Sequence, residues 1–441
     1  MSKDEYLITD VPLKALTVFA MPMILGSFFQ QIYNMADSII VGQFVGSSAL
    51  AAVGACAALT NVFICVALGA GVGAGVLVSR YFGAREYGKM KTIVSTSVFS
   101  FLILSIVLGV FGFCFSHPMM SVLQTPADIL DNAVLYLRVY FVGFPFLFMY
   151  NILSTMFTSI GESKIPLGLL IFSSILNIFL DLWMVAGLGL GVFGAALATL
   201  IAQGISAVFS FLLFLSRMRR YKSHFDWFDR QELHSMLQIA VPSVLQQSTV
   251  SIGMMIVQAV VNPFGTQALA GYAATMRVEN VFSLIFVSIG NAVSPYVSQN
   301  LGAKKIERIK KGYHAALVLD VCFAVLAFIV IETLHTQISS LFLGKDGTAL
   351  AYRISGDYMR WLGYFFIFMG IKNGNRWSPS GRWNHASLPH CKHGQPCDSS
   401  VCCFDFCTAP WYCICLACCT GWLVCKLFNI LCGGQEILAD G

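Results

Sequence analysis

Charge is what this sequence has least of. Only 11% of its 441 residues are Asp, Glu, Lys or Arg, while 57% are hydrophobic. Soluble domains carry roughly 25% charged residues, so a water-facing globular surface is excluded. Strict apolar/polar alternation is also missing, which together with the length of the apolar segments excludes a β-barrel. No nucleotide-binding glycine loop, no metalloprotease motif on a helix and no Ser/His pairing is present, so the chain is not expected to be an enzyme. No small-residue cleavage pattern follows Met1-Ser2-Lys3-Asp4-Glu5, and the first apolar segment is expected to stay and serve for targeting. The net charge of +5 comes from short basic clusters beside apolar segments. That is topology information rather than a nucleic-acid footprint.

What the chain does have is spans. Apolar stretches of about 20 residues or more, enough to cross a bilayer, lie near 13–38, 48–78, 92–116, 128–158, 165–186, 190–215, 237–262, 268–298, 313–333 and 350–372. Each must be helical, because lipid leaves an open sheet edge unsatisfied. Basic residues follow every second span: Arg80, Arg85, Lys89 and Lys91; Lys164; Arg217, Arg219, Arg220, Lys222 and Arg230; Lys304, Lys305, Arg308, Lys310 and Lys311. The intervening loops, 116–129, 183–191 and 262–267, nearly lack Lys and Arg. The positive-inside rule therefore puts the amino terminus and the basic loops in the cytoplasm. The expectation is a multi-pass protein of the cytoplasmic membrane, monomeric in the lipid bilayer. The basic run with Trp227 and Phe228 reads as a cytoplasmic linker anchored at the interface, over residues 217–236; a lipid-binding patch is the alternative reading.

The chain also repeats itself. Ala49-Leu50-Ala51 returns as Ala268-Leu269-Ala270, an offset of 219 residues. Without a gap the same offset pairs Asn61-Val62-Phe63 with Asn280-Val281-Phe282, Gly71 with Gly290, Val78-Ser79 with Val297-Ser298 and Gly83-Ala84 with Gly302-Ala303. A period this long is a duplicated half-protein. Related halves of a membrane chain commonly enclose a substrate path. The predicted fold is an all-α polytopic membrane protein of two pseudo-symmetric six-helix lobes. The first covers 1–216 and the second 237–372, where only four helices are recognisable, making about ten in all.

Past Lys372 the character changes. Residues 373–383 are polar and turn-rich, and eleven of the 15 cysteines crowd the stretch from Cys391 to Cys432. Their spacing is irregular, with doublets such as Cys402-Cys403 that suit neither a zinc knuckle nor a disulfide framework. A one-nucleotide shift turns every Cys codon into Ala or Val, and the codons of Trp377 and Trp383 into Gly. Residues 373–441 thus read as an aberrant tail, the frameshifted translation of two further membrane helices. A genuine thiol-rich or metal-binding tail is the alternative.

Carboxylates inside hydrocarbon are costly and face protein or a water-filled cavity. Asp37 and Asp181 are the acids of interest. Asn177 and Asp181 are four apart, on one helical face, and with Thr199 they offer oxygen ligands for a hard cation such as Na⁺. Alternatively, the two carboxyls share a protonation switch. Plainer roles stay open: an outer-surface position for Asp37, a helix-end position for Asp181, and interhelical hydrogen bonding for Asn177 and Thr199. Arg277 and Glu279, two apart, do not face each other on a helix and need separate partners, either a half-buried network or simple snorkelling. Pro22, Pro145, Pro242 and Pro295 lie within apolar spans, where they can kink helices. Phe (36 residues) and Met (17) offer apolar and cation–π surface for flat cationic compounds.

Four stretches agree in order and spacing with one family: Met21-Pro22 with Tyr33-Asn34-Met35-Ala36-Asp37 and Val41-Gly42; Gly161-Glu162-Ser163-Lys164-Ile165-Pro166 with Asn177 and Asp181; Gly191-Val192-Phe193-Gly194-Ala195-Ala196-Leu197-Ala198-Thr199; and the paired Ser-to-Gly-Ala loops. Over residues 10–372 the chain resembles the multidrug and toxic compound extrusion (MATE) transporters. The resemblance implies two six-helix lobes in a V and export of small organic, cationic or amphiphilic compounds in exchange for H⁺ or Na⁺, without another cofactor. It places Asp37, Asn177, Asp181 and Thr199 in an amino-lobe cation or proton network. Some members carry a carboxylate in the seventh span, where this chain has Gln246-Gln247; a second-lobe Na⁺ site relying on that acid is not expected. A lipid-linked saccharide flippase and an inactive truncated product are the alternatives.

Overall fold

The computed structural model describes residues 5–123, 125–261, 266–343 and 348–375, and among them there is no strand. The helices are α1 (Tyr6–Thr9), α2 (Pro12–Phe44), α3 (Ser47–Gly83), α4 (Tyr87–Val122), α5 (Ala127–Val142), α6 (Phe144–Ser159), α7 (Lys164–Asp181), α8 (Gly191–Met218), α9 (Arg230–Val261), α10 (Thr266–Gly302), α11 (Ile306–Leu343) and α12 (Ala349–Asn375). Each of the ten predicted spans overlaps one or two of these helices. Among the described residues seven helices are long and apolar enough to cross a membrane, and α5 with α6 form an eighth, bent candidate. Helices α9 and α12 are not among them; α9 carries Gln246-Gln247-Ser248-Thr249 and α12 carries Arg353, Asp357 and Arg360.

Two predicted spans are not single α-helices. The fourth bends by 51° between α5 and α6. Pro145 stands in the first turn of α6 and has no N–H to return to the preceding turn, so the ladder breaks there. The fifth ends as an α-helix at Asp181 and continues as a wider π turn, Leu182–Gly187, where Leu188 N donates to Trp183 O at 2.9 Å. Pro22, Pro242 and Pro295 do lie inside α2, α9 and α10. The segment between α8 and α9 is shorter than the expected 217–236, since α8 continues to Met218 and α9 begins at Arg230. The cysteine-rich part of the expected tail lies outside the described residues.

Apolar helices still carry hydroxyls, and most of these return to their own backbone. Thr17 donates to Leu13 O (2.8 Å), Ser97 to Ile93 O (2.6 Å), Thr155 to Asn151 O (2.9 Å) and Ser243 to Ile239 O (2.9 Å). A Ser or Thr closed one turn back needs no outside partner in a dry environment.

The chain divides into two compact units, Met1–Val244 with Ser294–Ile306, and Leu245–Val293 with Glu307–Gly441. In the first unit the ends of α3 and α10 cross backbone to backbone. A Cβ placed on Gly83 would overlap Gln299 O, and one placed on Gly302 would overlap Arg80 O. The two contacts are copies: Gly83 and Gly302, like Arg80 and Gln299, are related by the 219-residue offset. Polar contacts surround the crossing. Gln299 Nε2 (2.7 Å) and Ser79 Oγ (3.1 Å) both donate to Ser159 O at the end of α6. Asn300 Nδ2 donates to Leu7 O (3.0 Å) and Lys305 Nζ to Ile8 O (3.1 Å), tying the first residues of the chain to the same place.

In the second unit the core gathers Val278 and Phe286 of α10, Ala324, Ala327 and Ile331 of α11, and Met359, Leu362 and Phe366 of α12. Phe286 and Phe366 stack there at 5.4 Å between centroids.

Gly83→Val and Gly302→Val are each expected to cost about 1–3 kcal/mol through overpacking, read as a lower Tm of the detergent-solubilised chain. Gly290→Ala, where an added Cβ meets nothing within 4 Å, should not lower Tm, since Ala in a helix restricts the unfolded backbone more than Gly.

Candidate functional site

Helix α7 packs against both α2 and α8, and the site lies where these three meet. Tyr33 and Asp37 stand one turn apart on α2, so both point the same way. Asn177 and Asp181 repeat that spacing at the end of α7, immediately before the π turn. Thr199 faces them from α8. Asp181 and Asn177 are buried, while Asp37 and Thr199 are half-buried.

The four predicted residues come together. The Asp37 and Asp181 carboxyls lie within hydrogen-bonding reach of each other. The Asn177 amide bridges from α7 to α8: with its nitrogen toward Asp181 it donates to Oδ2 at 2.7 Å, and its oxygen accepts from Thr199 N at 3.3 Å. That orientation avoids setting acceptor against acceptor. Thr199 Oγ1 donates to Ala195 O at 3.1 Å. Asp37 does not stand alone on its helix, because its carboxyl faces Asp181.

Three tyrosines complete the site and were not singled out from sequence. Tyr33 stands near the Thr199 side chain and both acids. Tyr136 of α5 faces Asp37 and Tyr33, and its ring stacks on Tyr140 at 6.5 Å with planes 18° apart. Tyr33 had a readable signal, its i, i+4 relation to Asp37. Tyr136 had none, because only the fold brings α5 to α2.

Chemically, this is an acceptor-rich pocket inside apolar walls. Ile40, Val41, Val185, Val192 and Ala195 form the packed cluster on one side, and Leu180, Met184, Ala198 and Ala202 the other. Asp181 Oδ1 is buried without a hydrogen-bond donor. Two facing carboxyls with an undonated oxygen suit a shared proton or a hard monovalent cation. Among the described residues, no group of three or more His, Cys, Asp or Glu side chains is placed to hold a metal ion.

The acids of the second unit stand elsewhere. Glu279 of α10 is buried and accepts from Tyr358 OH at 3.1 Å, so it belongs to a buried network rather than snorkelling. Thr275 Oγ1 and Ser355 Oγ are 3.2 Å apart nearby. Arg277 points to the exterior. Asp320 of α11 is buried, with Oδ1 lacking a donor.

The MatE family model matches residues 22–183 and 242–374. The probable multidrug resistance protein YoeA of Bacillus subtilis is 29% identical over 353 residues, 77% of this chain and 76% of its own length. The multidrug export protein MepA of Staphylococcus haemolyticus is 27% identical over 366 residues, covering 81% of this chain and 80% of its own. A solved structure described as the outward-facing conformation of a multidrug resistance MATE transporter aligns with a TM-score of 0.74 at 25% identity, over 86% of each chain.

Asn177→Ala strips Asp181 of its amide donor and is expected to cost about 1–3 kcal/mol. In a double-mutant cycle measured by thermal unfolding, that cost should shrink when Asp181→Asn is also present.

Proposed function

This chain belongs to the MatE family and is a membrane transporter, not an enzyme, and we propose that it exports organic cations or amphiphiles from the cytoplasm in exchange for H⁺ or Na⁺. The observation that carries the coupling is the meeting of Asp37 and Asp181 inside an apolar three-helix junction, with one carboxylate oxygen undonated. Two negative charges this close in a low-dielectric surrounding repel strongly. A proton between them, or one cation held by both carboxyls, Asn177 and Thr199, removes the repulsion. The ion therefore favours the conformation in which α2 and α7 are together. Substrate favours the other, and exchange follows from the difference in affinities. Membership of a family with multidrug export proteins supports the substrate class. The basic loops support a cytoplasmic amino terminus in the inner membrane, and the chain acts as a monomer in this reading.

A second reading concerns the tail. The family match ends at residue 374, next to the predicted break at Asn373, which supports residues 373–441 being a frameshifted copy of two missing helices. In that case this chain is an inactive product and the intact reading frame encodes the transporter. Resequencing the gene through codon 373 decides this; an unbroken frame that encodes the cysteines sinks the frameshift.

In everted vesicles carrying a transport-competent form, Asp37→Asn and Asp181→Asn are each expected to reduce ion-driven dye efflux at least tenfold while insertion is unchanged. Normal efflux by both variants refutes the site. Imposing a pH gradient or a Na⁺ gradient separately identifies the coupling ion.

A further inference from the structure

The segment between α8 and α9 is not a loose connection. It is laid along one stripe of α4. Asp226 N donates to Thr92 Oγ1 and Asp229 N to Thr96 Oγ1, both at 3.0 Å. Ser95 Oγ donates back to Asp226 O at 3.1 Å. One turn earlier, Gly88 leaves room for the strap: a Cβ there would stand 2.8 Å from His224 O. Positions 88, 92, 96 and 99 follow helical spacing, so the strap runs up a single face of α4. Tyr221 is fixed at the near end, with its ring 4.7 Å from Tyr87 and 5.9 Å from Phe82. At the far end Phe228 meets Phe99 at 6.2 Å.

Phe99 is where α4 turns apolar on its outside. From it an exposed stripe continues through Ile103, Ile106, Val107 and Val110, which is a lipid-facing surface. The strap is thereby held at the polar/apolar boundary, the depth where Trp is favoured. There Trp227 is 79% exposed, although its neighbours on the strap are pinned. A fixed, outward Trp at that level has lipid as its natural surrounding.

The charges nearby are one-sided. Arg219, Arg220 and Lys222 are exposed, and no ion pair engages them among the described residues. The neighbouring acids are mostly committed: Glu162 pairs with Arg217 at 3.4 Å, Asp229 Oδ1 accepts from Gln231 N at 2.7 Å at the start of α9, and Glu232 accepts from Tyr81 OH at 2.9 Å. Exposed Asp226 is the opposing charge on the strap itself. Lys91 lies over the Phe225 ring at 5.6 Å and adds a fourth cation to the same patch.

We propose that this strap is a binding surface for anionic phospholipid, with Arg219, Arg220 and Lys222 holding the headgroup phosphate while Trp227 enters the glycerol and upper acyl region. The leaflet is the cytoplasmic one, which rests on the orientation proposed above; the binding itself does not depend on orientation or transport. The strap grips α4 and continues directly into α9, so lipid held here also steadies the start of α9.

Quenching of Trp227 by phospholipids brominated near the top of the acyl chains tests this in reconstituted full-length protein. The Trp227 contribution is taken as the difference between the wild type and Trp227→Phe. Phosphatidylglycerol should occupy the site in preference to phosphatidylcholine by on the order of five-fold or more, since each juxtamembrane cation contributes appreciably near an anionic surface. The preference should vanish in Arg219→Gln/Arg220→Gln/Lys222→Gln and persist in Arg219→Lys/Arg220→Lys. In the wild type, raising salt from about 0.05 M to about 1 M should collapse it through screening, a measurement that requires no variant to fold. Equal quenching by the two lipids, or a preference that survives both neutralisation and high salt, overturns the proposal. Absence of quenching of Trp227 by both lipids overturns the placement of the strap at the membrane. Loss of efflux in Asp37→Asn has no bearing on any of these readings, so the two ideas fail separately.

Discussion

Hydrocarbon offers no hydrogen-bond partner, and the whole chain is arranged around that fact. Each backbone group needs a partner from the protein itself, which selects helices for every span. The same constraint extends to side chains: Thr17, Ser97, Thr155 and Ser243 fold back on carbonyls of their own helices. Against that background, the hydroxyls that reach elsewhere are informative. Ser79 reaches Ser159 O at the α3–α10 crossing. Thr92 and Thr96 receive the strap. Tyr33 and Thr199 meet at the carboxyl site, Thr199 while also closing one turn back on Ala195 O. A polar group spent between helices marks each place where this fold does more than span.

Much of this was legible in the residues because membranes magnify simple signals. Ten apolar segments fell on helices, eight of them on helices or a bent pair long and apolar enough to cross a membrane, because length and charge depletion make a span readable. Asp37 and Asp181 stood out because a carboxylate in an apolar run has no inexpensive alternative. The spacing of Asn177 and Asp181 put both on one face. What escaped was information that exists only between helices. Tyr136 of α5 comes near Asp37 only through the tertiary fold, and no spacing on α5 announces it. The bend before Pro145 was hidden because the apolar run continues across it. Glu279 looked equally suited to the surface and the interior until Tyr358, 79 residues later, supplied its partner.

The duplicated halves kept their scaffold and changed their chemistry. Shifting by 219 residues carries Asp37 to Ile256, so the second copy has no counterpart of that acid; run backwards, Glu279 falls on Thr60 and Asp320 on Phe101. Apolar helical spacing and close-approach glycines tolerate drift in everything except size. Ionisable groups are few and individually costly, so each copy was free to retain them in different places. An inherited backbone with unequal acids leaves the two halves chemically different.

The crossing at Gly83 and Gly302 points back to a simpler molecule. In a half-length ancestor pairing as a two-fold dimer, one glycine per chain would have made both contacts, because a self-complementary interface presents each patch twice. Any substitution there would have struck both sides of the seam at once. In this chain that position exists twice, as Gly83 and Gly302. Each can be altered while the other is kept, so a contact that a symmetric pair would have to change twice can here be changed once.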